Sequence, residues 1–456
     1  MSAVDLSQLP PGPKAPRSFQ TVGLTYRQRP YLERARRAYG ETFTVRILGF
    51  VPLVVLTNPE HIKQVFTADA KVLHAGDTSP LRPILGKHSL LGIDEEIHLA
   101  QRRLLLPPFK GQRMKAYEGL IAEIAAAEID RMPEGVELPI APMMQRITLR
   151  AILRAVFGAS GRELAELEEL MPPLTEHGSR LAMTPFLQRD LGAWSPWGRF
   201  LRLRARVDAV LDRLISLAKN DARLEERTDV LALLVQATHE DGAPMSNAEI
   251  RDQLVTMLAA GHETTAHQLS WTVERLTRTP QALERLVAEV DAGGSKEYLD
   301  ATIRESQRTR PVIFFAGRTT MQPYSVAGYD LPRGVQLALA AAMTHFDPRL
   351  FDRPDAFLPE RFLDARPETY SWIPFGGGIR RCIGATFAHM EMDVVLRTLL
   401  ARVELLPTSA PAERWAFRGV AMAPAEGGRV VVRRRRSRPA AGDGPAPVSE
   451  AVPAAA

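Results

Sequence analysis

The chain contains a single cysteine in 456 residues. One cysteine cannot form an intramolecular disulfide, and it excludes any metal site that requires two thiolates. The polar, Pro-rich stretch 1–24 lacks the apolar core of a signal peptide, and no segment reaches the roughly 20 apolar residues of a membrane helix. These absences predict a cytoplasmic protein without a membrane span.

Basic residues slightly outnumber acidic residues, so the net charge is +5 and the pI is near 9.4. Five arginines lie between positions 433 and 438, and only two acidic residues follow them. A cationic run beside Pro- and Ala-rich sequence is typical of a disordered, solvated tail. The rest of the chain is nearly neutral, so we expect no nucleic-acid partner.

The domain organisation follows from length and from the absence of internal breaks. A prior of roughly 150 residues per domain allows two or three domains. No repeat, flexible linker or change of composition interrupts residues 25–432, which favours one domain there. A Pro-rich segment, 1–24, precedes this domain, and a basic and then Pro/Ala-rich tail, 433–456, follows it.

Helical patterns dominate the chain, so the predicted fold class is mainly α with a minor β region. Predicted helices cover 59–68, 96–106, 112–131, 143–157, 161–171, 198–219, 228–238 and 385–401. Predicted strands cover 43–48, 52–57, 324–340 and 429–433.

The best-marked helix begins at Ser246, where Ser246-x-x-Glu249 forms a capping box, and runs to about Arg278. At 1.5 Å per residue it is about 48 Å long. Gly261, Glu263 and Thr264 lie in its middle, where a buried helix should be apolar. Such a break in local propensity indicates a functional site or a surface-facing stripe.

The cysteine lies in the run 375–384, Phe-Gly-Gly-Gly-Ile-Arg-Arg-Cys-Ile-Gly, directly before a predicted helix. Glycines such as Gly376 allow the backbone to lie close to a flat group. A sulfur at a helix N-terminus, beside Arg380 and Arg381, is favoured as thiolate. The pattern indicates an iron ligand or a nucleophile at Cys382, with a buried inert cysteine as the alternative.

This run, Phe-Gly-x-Gly-x-Arg-x-Cys-x-Gly, resembles the heme-binding signature of the cytochrome P450 family, in which a thiolate ligates heme iron. The resemblance covers about residues 10–432. It implies the cytochrome P450 fold, with heme b (iron protoporphyrin IX) between the long central helix and the cysteine loop. The residues that it places around the heme are Phe375, Gly376, Arg380, Cys382 as the metal ligand, and Gly384.

The segment 260–265 resembles the oxygen-activation segment of the same family. The resemblance implies that Ala260 and Gly261 lie beside the heme, with Gly261 widening the helix groove next to bound dioxygen. It implies that Glu263 and Thr264 are catalytic and relay protons to the distal oxygen.

Two further matches concern charged residues. Glu305-x-x-Arg308, followed by Arg361, resembles the buried salt-bridged cluster that stabilises the family's fold near the heme, so a structural role is implied.

The heme carboxylates require cationic or hydrogen-bonding partners. The residues that match this role are His98, where many relatives have Trp, Arg102, Arg318 and Arg380.

The implied function is a monooxygenase that uses molecular oxygen to hydroxylate or otherwise oxidise a small molecule. The segments that match the family's pocket, including 79–91 and 181–201, are mostly apolar, which favours a lipophilic substrate such as a terpenoid, steroid or fatty acid. The expected lining residues are Met257, Val312, Ile313, Phe314, Phe315, Val420 and Ala421. Core packing is the alternative for Phe314 and Phe315.

Electrons must come from outside the chain, since no flavin or iron–sulfur motif is recognised in it. The expected donor is a ferredoxin or flavodoxin with its reductase, docking by charge complementarity near Arg380, Arg381 and Arg103. We expect the protein to be a monomer.

Other interpretations use the same residues. A non-catalytic heme-thiolate sensor or ligand-binding protein would not need the Glu263-Thr264 relay. A cysteine hydrolase would need a base near Cys382, but His389 and Glu391 lie well along the next helix. His262 and His267 are five residues apart, about 140° around a helix, unlike the zinc-protease pair. The run 376–378 lacks the Gly-Lys-Ser/Thr of a phosphate loop.

Overall fold

A computed structural model describes residues 6–109, 113–158, 161–239, 241–364 and 367–435. Within these residues the structure is mainly helical, which confirms the predicted fold class. The helices are α1 Arg17–Tyr26, α2 Gln28–Tyr39, α3 Pro59–Phe66, α4 Arg82–Leu85, α5 Glu95–Leu105, α6 Arg113–Ile129, α7 Ala141–Phe157, α8 Arg162–Ala182, α9 Pro196–Lys219, α10 Val230–Gln236, α11 Asn247–Thr277, α12 Pro280–Ala292, α13 Glu297–Thr309, α14 Ala341–His345, α15 Arg361–Asp364 and α16 Ala385–Arg402.

The strands are short and form small sheets beside the helices. They are β1 Thr42–Val45, β2 Leu53–Leu56, β3 Leu73–His74, β4 Leu138–Pro139, β5 Ala316–Thr320, β6 Tyr324–Val326, β7 Tyr329–Leu331, β8 Gln336–Leu339, β9 Val403–Leu406, β10 Trp415–Arg418, β11 Ala421–Pro424 and β12 Arg429–Arg434. The largest sheet has the order β1-β2-β8-β5-β3, in which only β2 and β8 pair in parallel, with Leu53 opposite Gln336. A second sheet has the order β4-β12-β9, and β6-β7 and β10-β11 form hairpins.

The long helix α11 crosses the main core. Ser246 caps it, accepting a hydrogen bond from the Glu249 N–H while the Glu249 carboxylate accepts one from the Ser246 N–H, which confirms the predicted capping box. At 31 residues, it is about 46 Å long. Its apolar residues pack with α6, α7 and α16 in the largest hydrophobic cluster, which includes Ile121, Ile152 and Leu396.

Helix α8 is longer than predicted, since the expected 161–171 extends to Ala182 and includes Pro172 and Pro173. The prolines remove backbone donors, a loss that normally ends a helix. The apolar face nevertheless continues past them, because Leu174 and Leu181 are buried in the same cluster as Met171. Burial of this apolar face in the core therefore outweighs the tendency of the prolines to end the helix.

The structure also assigns positions to parts of both predicted terminal segments. Near the N-terminus, the Thr44 hydroxyl donates to Pro10 O over 2.7 Å, and the side chain of Gln20 is fully buried. Near the C-terminus, Arg433 pairs with Glu404 across the β12-β9 ladder, and Arg435 pairs with Asp291 at 2.6 Å. Arg433 thus lies in β12 and Arg435 directly follows that strand, whereas the remainder of the predicted tail, 436–456, lies outside the described residues.

Within the described residues, no helix has both the length and the apolar composition needed to cross a membrane.

Candidate functional site

The cysteine loop joins a 3-10 turn, Gly378–Arg380, to the N-terminus of α16. The Cys382 N–H donates to Phe375 O over 2.9 Å and closes the loop. At Gly378 the backbone has a φ of +63°, and a Cβ there would lie 2.0 Å from Phe66 O. Only glycine is compatible with this approach, so the glycine run packs the loop against α3.

The sulfur of Cys382 is deep in the protein and yet accessible. Cys382 is exposed, although protein surrounds its side chain closely enough for burial to raise the pKa of the thiol. The Gly384 N–H, Arg102 and Arg381 act in the opposite direction. The helix N-terminus and the arginines therefore favour the thiolate, and burial opposes them.

Polar groups with few partners gather on one side of this recess. The His98 ring is buried and its Nδ1 has no hydrogen-bond partner, and the same is true of Gln101 Oε1 one turn away. Arg102 is half-buried and forms no ion pair within the described residues. Arg318 is buried and donates to Gly317 O.

The charges of these arginines shift the pKa values of their neighbours, which indicates that the groups lie close together. Burial, followed by the charges of Arg380 and Arg102, lowers the pKa of His98 to about 3, so its ring is neutral. Burial and Arg380 likewise lower the pKa of Arg318 to about 10. This excess of buried cationic and donor groups fits a ligand with carboxylates, and together with the accessible sulfur it fits a heme.

Arg380 differs from the other residues predicted to bind the heme carboxylates, because the carboxylate of Asp94 already pairs with it. It forms an ion pair with Asp94 and donates to Leu90 O over 3.2 Å. Asp94 also accepts hydrogen bonds from the N–H groups of Ala75 and Asp77. Burial alone would raise the pKa of Asp94, but these amides and Arg380 bring it below its usual value.

Sequence reasoning missed Asp94. Its only local signal is its position directly before α5, and its partner Arg380 is 286 residues away.

The middle of α11 has accessible surface on one side. Ala260 is exposed and Thr264 partly exposed, whereas Leu258 and Thr265 are buried. The Thr264 hydroxyl donates to Ala260 O over 2.8 Å, one turn back. Burial, followed by the charge of Glu176 on α8, raises the pKa of Glu263 to about 7.

Gly261 has a packing role in addition to the expected one. A Cβ at this position would lie 3.1 Å from the Ile152 side chain, so α11 and α7 cross closely here. His262 is buried, and its Nδ1 contacts Leu258 O at 2.7 Å. Among the described residues, the two histidines of α11 do not belong to any group that could hold a metal ion.

The predicted pocket residues fall into two groups. Val312 and Ala421 pack with Trp271, and Phe314 packs edge-on against Trp415 with ring centroids 5.5 Å apart. Met257 is buried in the main core, and Phe315 packs against the cluster that contains Phe314. The residues that retain accessible surface are Ile313, which is 37% exposed, and Phe315 and Val420, which are half-buried.

The predicted cluster of Glu305, Arg308 and Arg361 forms in the structure. Arg308 Nε lies 2.7 Å from Glu305 Oε2, and both side chains are fully buried. Arg361 Nε lies 3.2 Å from Glu305 Oε1. Arg308 also donates to three backbone carbonyls, those of His345, Pro354 and Ala356.

We predict that Glu305→Gln destabilises the protein by about 3 to 5 kcal/mol, because Arg308 would remain buried without its counter-charge. Urea unfolding measures this loss. The control is Asp352→Asn, which removes the exposed pair with Arg353 and should cost less than about 1 kcal/mol. Equal losses in the two variants would contradict the prediction.

A second missed residue is Glu391 on α16. It is fully buried, neither carboxyl oxygen has a well-aligned hydrogen bond, and burial raises its pKa well above the usual value. The hydroxyl of Thr265 on α11 offsets this shift only partly. Burial therefore favours the neutral form of this carboxyl group in the folded protein.

This shift predicts a pH dependence of stability. The unfolded chain releases the Glu391 proton near its ordinary pKa of 4.5, whereas the folded chain retains it. The native protein should therefore lose stability from this group as the pH rises above that value. Each unit of pKa difference corresponds to about 1.4 kcal/mol.

We predict that Glu391→Gln gains stability relative to the wild type between pH 5 and pH 8 by at least about 1 kcal/mol. Paired urea unfolding curves at the two pH values measure this gain. Glu297→Gln, at an exposed position on α13, should behave like the wild type. A constant difference between Glu391→Gln and the wild type would show that the carboxyl does not titrate as described.

Comparisons with known proteins agree with this architecture. The fold is that of cytochromes P450: a cyanobacterial CYP120A1 structure with retinoic acid bound has a TM-score of 0.81, covering 94% of this chain and 99% of that one at 23% identity. A cytochrome P450DA heme domain has a TM-score of 0.80, covering 95% and 99% at 24% identity.

The family is established by sequence. The model of the family Cytochrome P450 matches residues 10–427. The Mycobacterium tuberculosis protein that carries the name cytochrome P450 138 is 46% identical over 430 residues, 94% of this chain and 97% of that one. The protein named cytochrome P450 135B1 from the same organism is 42% identical, with 96% and 94% covered. This chain belongs to the cytochrome P450 family, whose members are heme-dependent monooxygenases.

Proposed function

We propose that this protein is a heme-thiolate monooxygenase that holds heme b through Cys382 and oxidises a lipophilic small molecule. The observation that carries the proposal is the accessible sulfur of Cys382, which lies in a deep recess within the family's sequence motif. When bound, the heme supplies a thiolate-ligated iron that activates dioxygen with two electrons from a partner.

The residues of the chain would hold this group from two directions. The Gly384 N–H donates a hydrogen bond to the cysteine sulfur, which favours a stable negative charge there. Arg102, Arg318 and neutral His98 would bind the heme carboxylates, since they have few partners of their own. Arg380 would act less directly, because Asp94 already pairs with it.

Glu263 and Thr264 would manage protons. With a pKa near 7, Glu263 can both hold and release a proton at neutral pH, as an acid–base residue requires. The Thr264 hydroxyl is held by Ala260 O on the accessible face of α11. It would receive a proton at its oxygen and pass its own to the reacting side.

The substrate would bind beside Ala260, Ile313 and Val420, whose surfaces remain accessible and are apolar. Apolar lining with few polar groups suits a terpenoid, a steroid or a fatty acid.

We predict that the reduced protein with carbon monoxide shows the red-shifted Soret band of thiolate-ligated heme, and that Cys382→Ser abolishes it. Thr264→Ala should retain the band while oxygen consumption becomes uncoupled from product formation, because proton delivery is lost. A Soret band at the ordinary position in the wild type would overturn the heme-thiolate assignment. Unchanged coupling in Thr264→Ala would remove the threonine from the relay, whereas a wild type that shows the band but forms no product would favour a ligand-binding protein.

The proposed electron donor is a ferredoxin or flavodoxin that docks on the cysteine side of the heme. Arg380 is engaged with Asp94, so the available positive charge near this face comes from exposed Arg381 and Arg103. Positive charge in this position complements an acidic redox protein.

We predict that Arg103→Glu lowers turnover driven by a ferredoxin or flavodoxin by about tenfold at low salt, while peroxide-driven turnover is retained. Arg103 suits this test because its charge, unlike that of Arg381, is not among the causes that lower the pKa of the Cys382 thiol. Arg223→Glu, in the turn after α9, is the matched control and should leave both rates unchanged. Equal losses in the two assays would argue against docking near Arg103.

A further inference from the structure

We propose that His74, Asp77 and Asp94 form a binding site for a divalent transition-metal ion of the zinc type, called the His74 site below. Among the residues that the structure describes, these three form a group able to hold a metal ion, with ligand atoms that all lie within 4.8 Å of one another. The proposed heme site uses neither His74 nor Asp77, so the two proposals can be tested separately.

A close approach of two backbone segments brings the three ligands together. His74 ends β3, and Asp94 directly precedes α5. At Gly76 a Cβ would lie 2.4 Å from Ile93 O, so the chain after β3 runs directly against the residues before α5. The Asp94 carboxylate does not cap its own helix but accepts hydrogen bonds from the Gly76 N–H over 2.9 Å and the Asp77 N–H over 2.7 Å. The fold therefore holds both acids beside the end of β3.

The imidazole of His74 is the observation that points to a metal ion. Its side chain is only 8% exposed, and its Nδ1 has no hydrogen-bond partner among the described residues. This nitrogen lies 3.4 Å from Asp77 Oδ2 and 3.5 Å from Asp94 Oδ2. Two ligand atoms at about 2.1 Å from one tetrahedral zinc ion are separated by about 3.4 Å. A buried polar atom without a partner costs free energy, and a metal ion between these three atoms would remove that cost.

The second ring nitrogen has the contact that metal-binding histidines usually have. His74 Nε2 lies 2.8 Å from Glu95 Oε1. A histidine that binds a metal commonly donates its other ring N–H to a carboxylate, which leaves the first nitrogen unprotonated and oriented toward the ion. Glu95 makes this contact from a backbone φ of +54°, which is uncommon for a residue other than glycine.

The two acids differ in how freely they can bind an ion. Asp77 Oδ1 lies 3.1 Å from Arg82 Nη1, which leaves Asp77 Oδ2 for the metal. Asp94 Oδ1 pairs with Arg380, and Asp94 Oδ2 would exchange one of its two N–H hydrogen bonds for the metal. The Asp77 side chain is 44% exposed, so an ion can enter from solvent on that side.

The charge and the ligand types favour a zinc-type ion. The carboxylates of Asp77, Asp94 and Glu95 outnumber the guanidinium groups that pair with them, those of Arg82 and Arg380. The site therefore carries excess negative charge for a cation to balance. One imidazole nitrogen with two carboxylate oxygens is typical of zinc, whereas magnesium and calcium prefer sites made of oxygen alone. Bound there, the ion would hold together the two ends of the segment 75–93.

Isothermal titration calorimetry of the heme-loaded protein with zinc chloride, after dialysis against EDTA, tests the proposal. Zinc should bind at a single site per chain and raise the melting temperature, because the ion binds the folded state. Magnesium chloride and calcium chloride at the same concentration should produce neither effect. Cys382→Ser should bind zinc like the wild type, which keeps the result independent of the proposed heme site.

Substitutions of a ligand, of its carboxylate partner and of a distant histidine should rank by affinity. Glu95→Gln should weaken zinc binding by about tenfold and retain the single site, as expected for a residue that orients a ligand. His74→Ala removes a ligand itself and should weaken binding by at least about 100-fold. The matched control is His239→Ala, which removes a histidine that lies 3.3 Å from Glu249 on another part of the surface and should bind zinc like the wild type.

Asp77→Asn keeps the test decisive if His74→Ala does not fold, because the Asp77 side chain is partly exposed and its shape is preserved. It should weaken zinc binding by at least about tenfold. Absence of zinc binding in the wild type would overturn the proposal and leave His74 as an ion-pair partner of the surrounding carboxylates. Zinc binding that is unchanged in both His74→Ala and Asp77→Asn would also overturn it, since the ion would then lie elsewhere.

Discussion

The fully buried ion pair of Glu305 and Arg308 connects α13 to the cysteine loop. Arg308 donates to His345 O, and the His345 Nε2 accepts a hydrogen bond from the Ile373 N–H over 2.9 Å. The ring can accept because burial and the Arg308 charge lower its pKa to about 3 and keep it neutral. The Gly376 N–H then donates to Ile373 O, just before the loop that ends at Cys382. Burying an ion pair away from water costs free energy. This pair lies where it fixes the backbone that carries the sulfur.

On the opposite side of the recess, acidic groups balance only part of the positive charge of the arginines. Asp94 neutralises Arg380, while Arg102 and Arg318 have no acidic partner within the described residues. Two buried or half-buried arginines without an acidic partner destabilise the folded protein, because the free-energy cost of removing a cation from water is offset only by a counter-charge or by hydrogen bonds. On the proposed function, a dianionic cofactor would supply that compensation, and its binding would stabilise the folded protein.

The features that sequence predicts well are local. The capping box at Ser246 and the Glu305-x-x-Arg308 pair involve residues three positions apart, and helix geometry brings such residues together wherever the helix lies. The Asp94–Arg380 pair depends on how α5 packs against the cysteine loop, which no local spacing contains. Phe314 shows the same limit: its type suits both a pocket and a core, and only its contact with Trp415 assigns it to the core.

Two acidic side chains, Glu263 on α11 and Glu391 on the neighbouring α16, have raised pKa values, but they differ in access to solvent. Glu391 is sealed on the α16 side, where both carboxyl oxygens are buried. Glu263 keeps partial exposure, and its pKa is near 7. A group that supplies protons repeatedly must exchange them with solvent in each cycle, and a sealed carboxyl exchanges only when the structure opens. On the proposed function, resupply therefore falls to Glu263, and the neutral Glu391 serves the packing of α16 beneath Thr265.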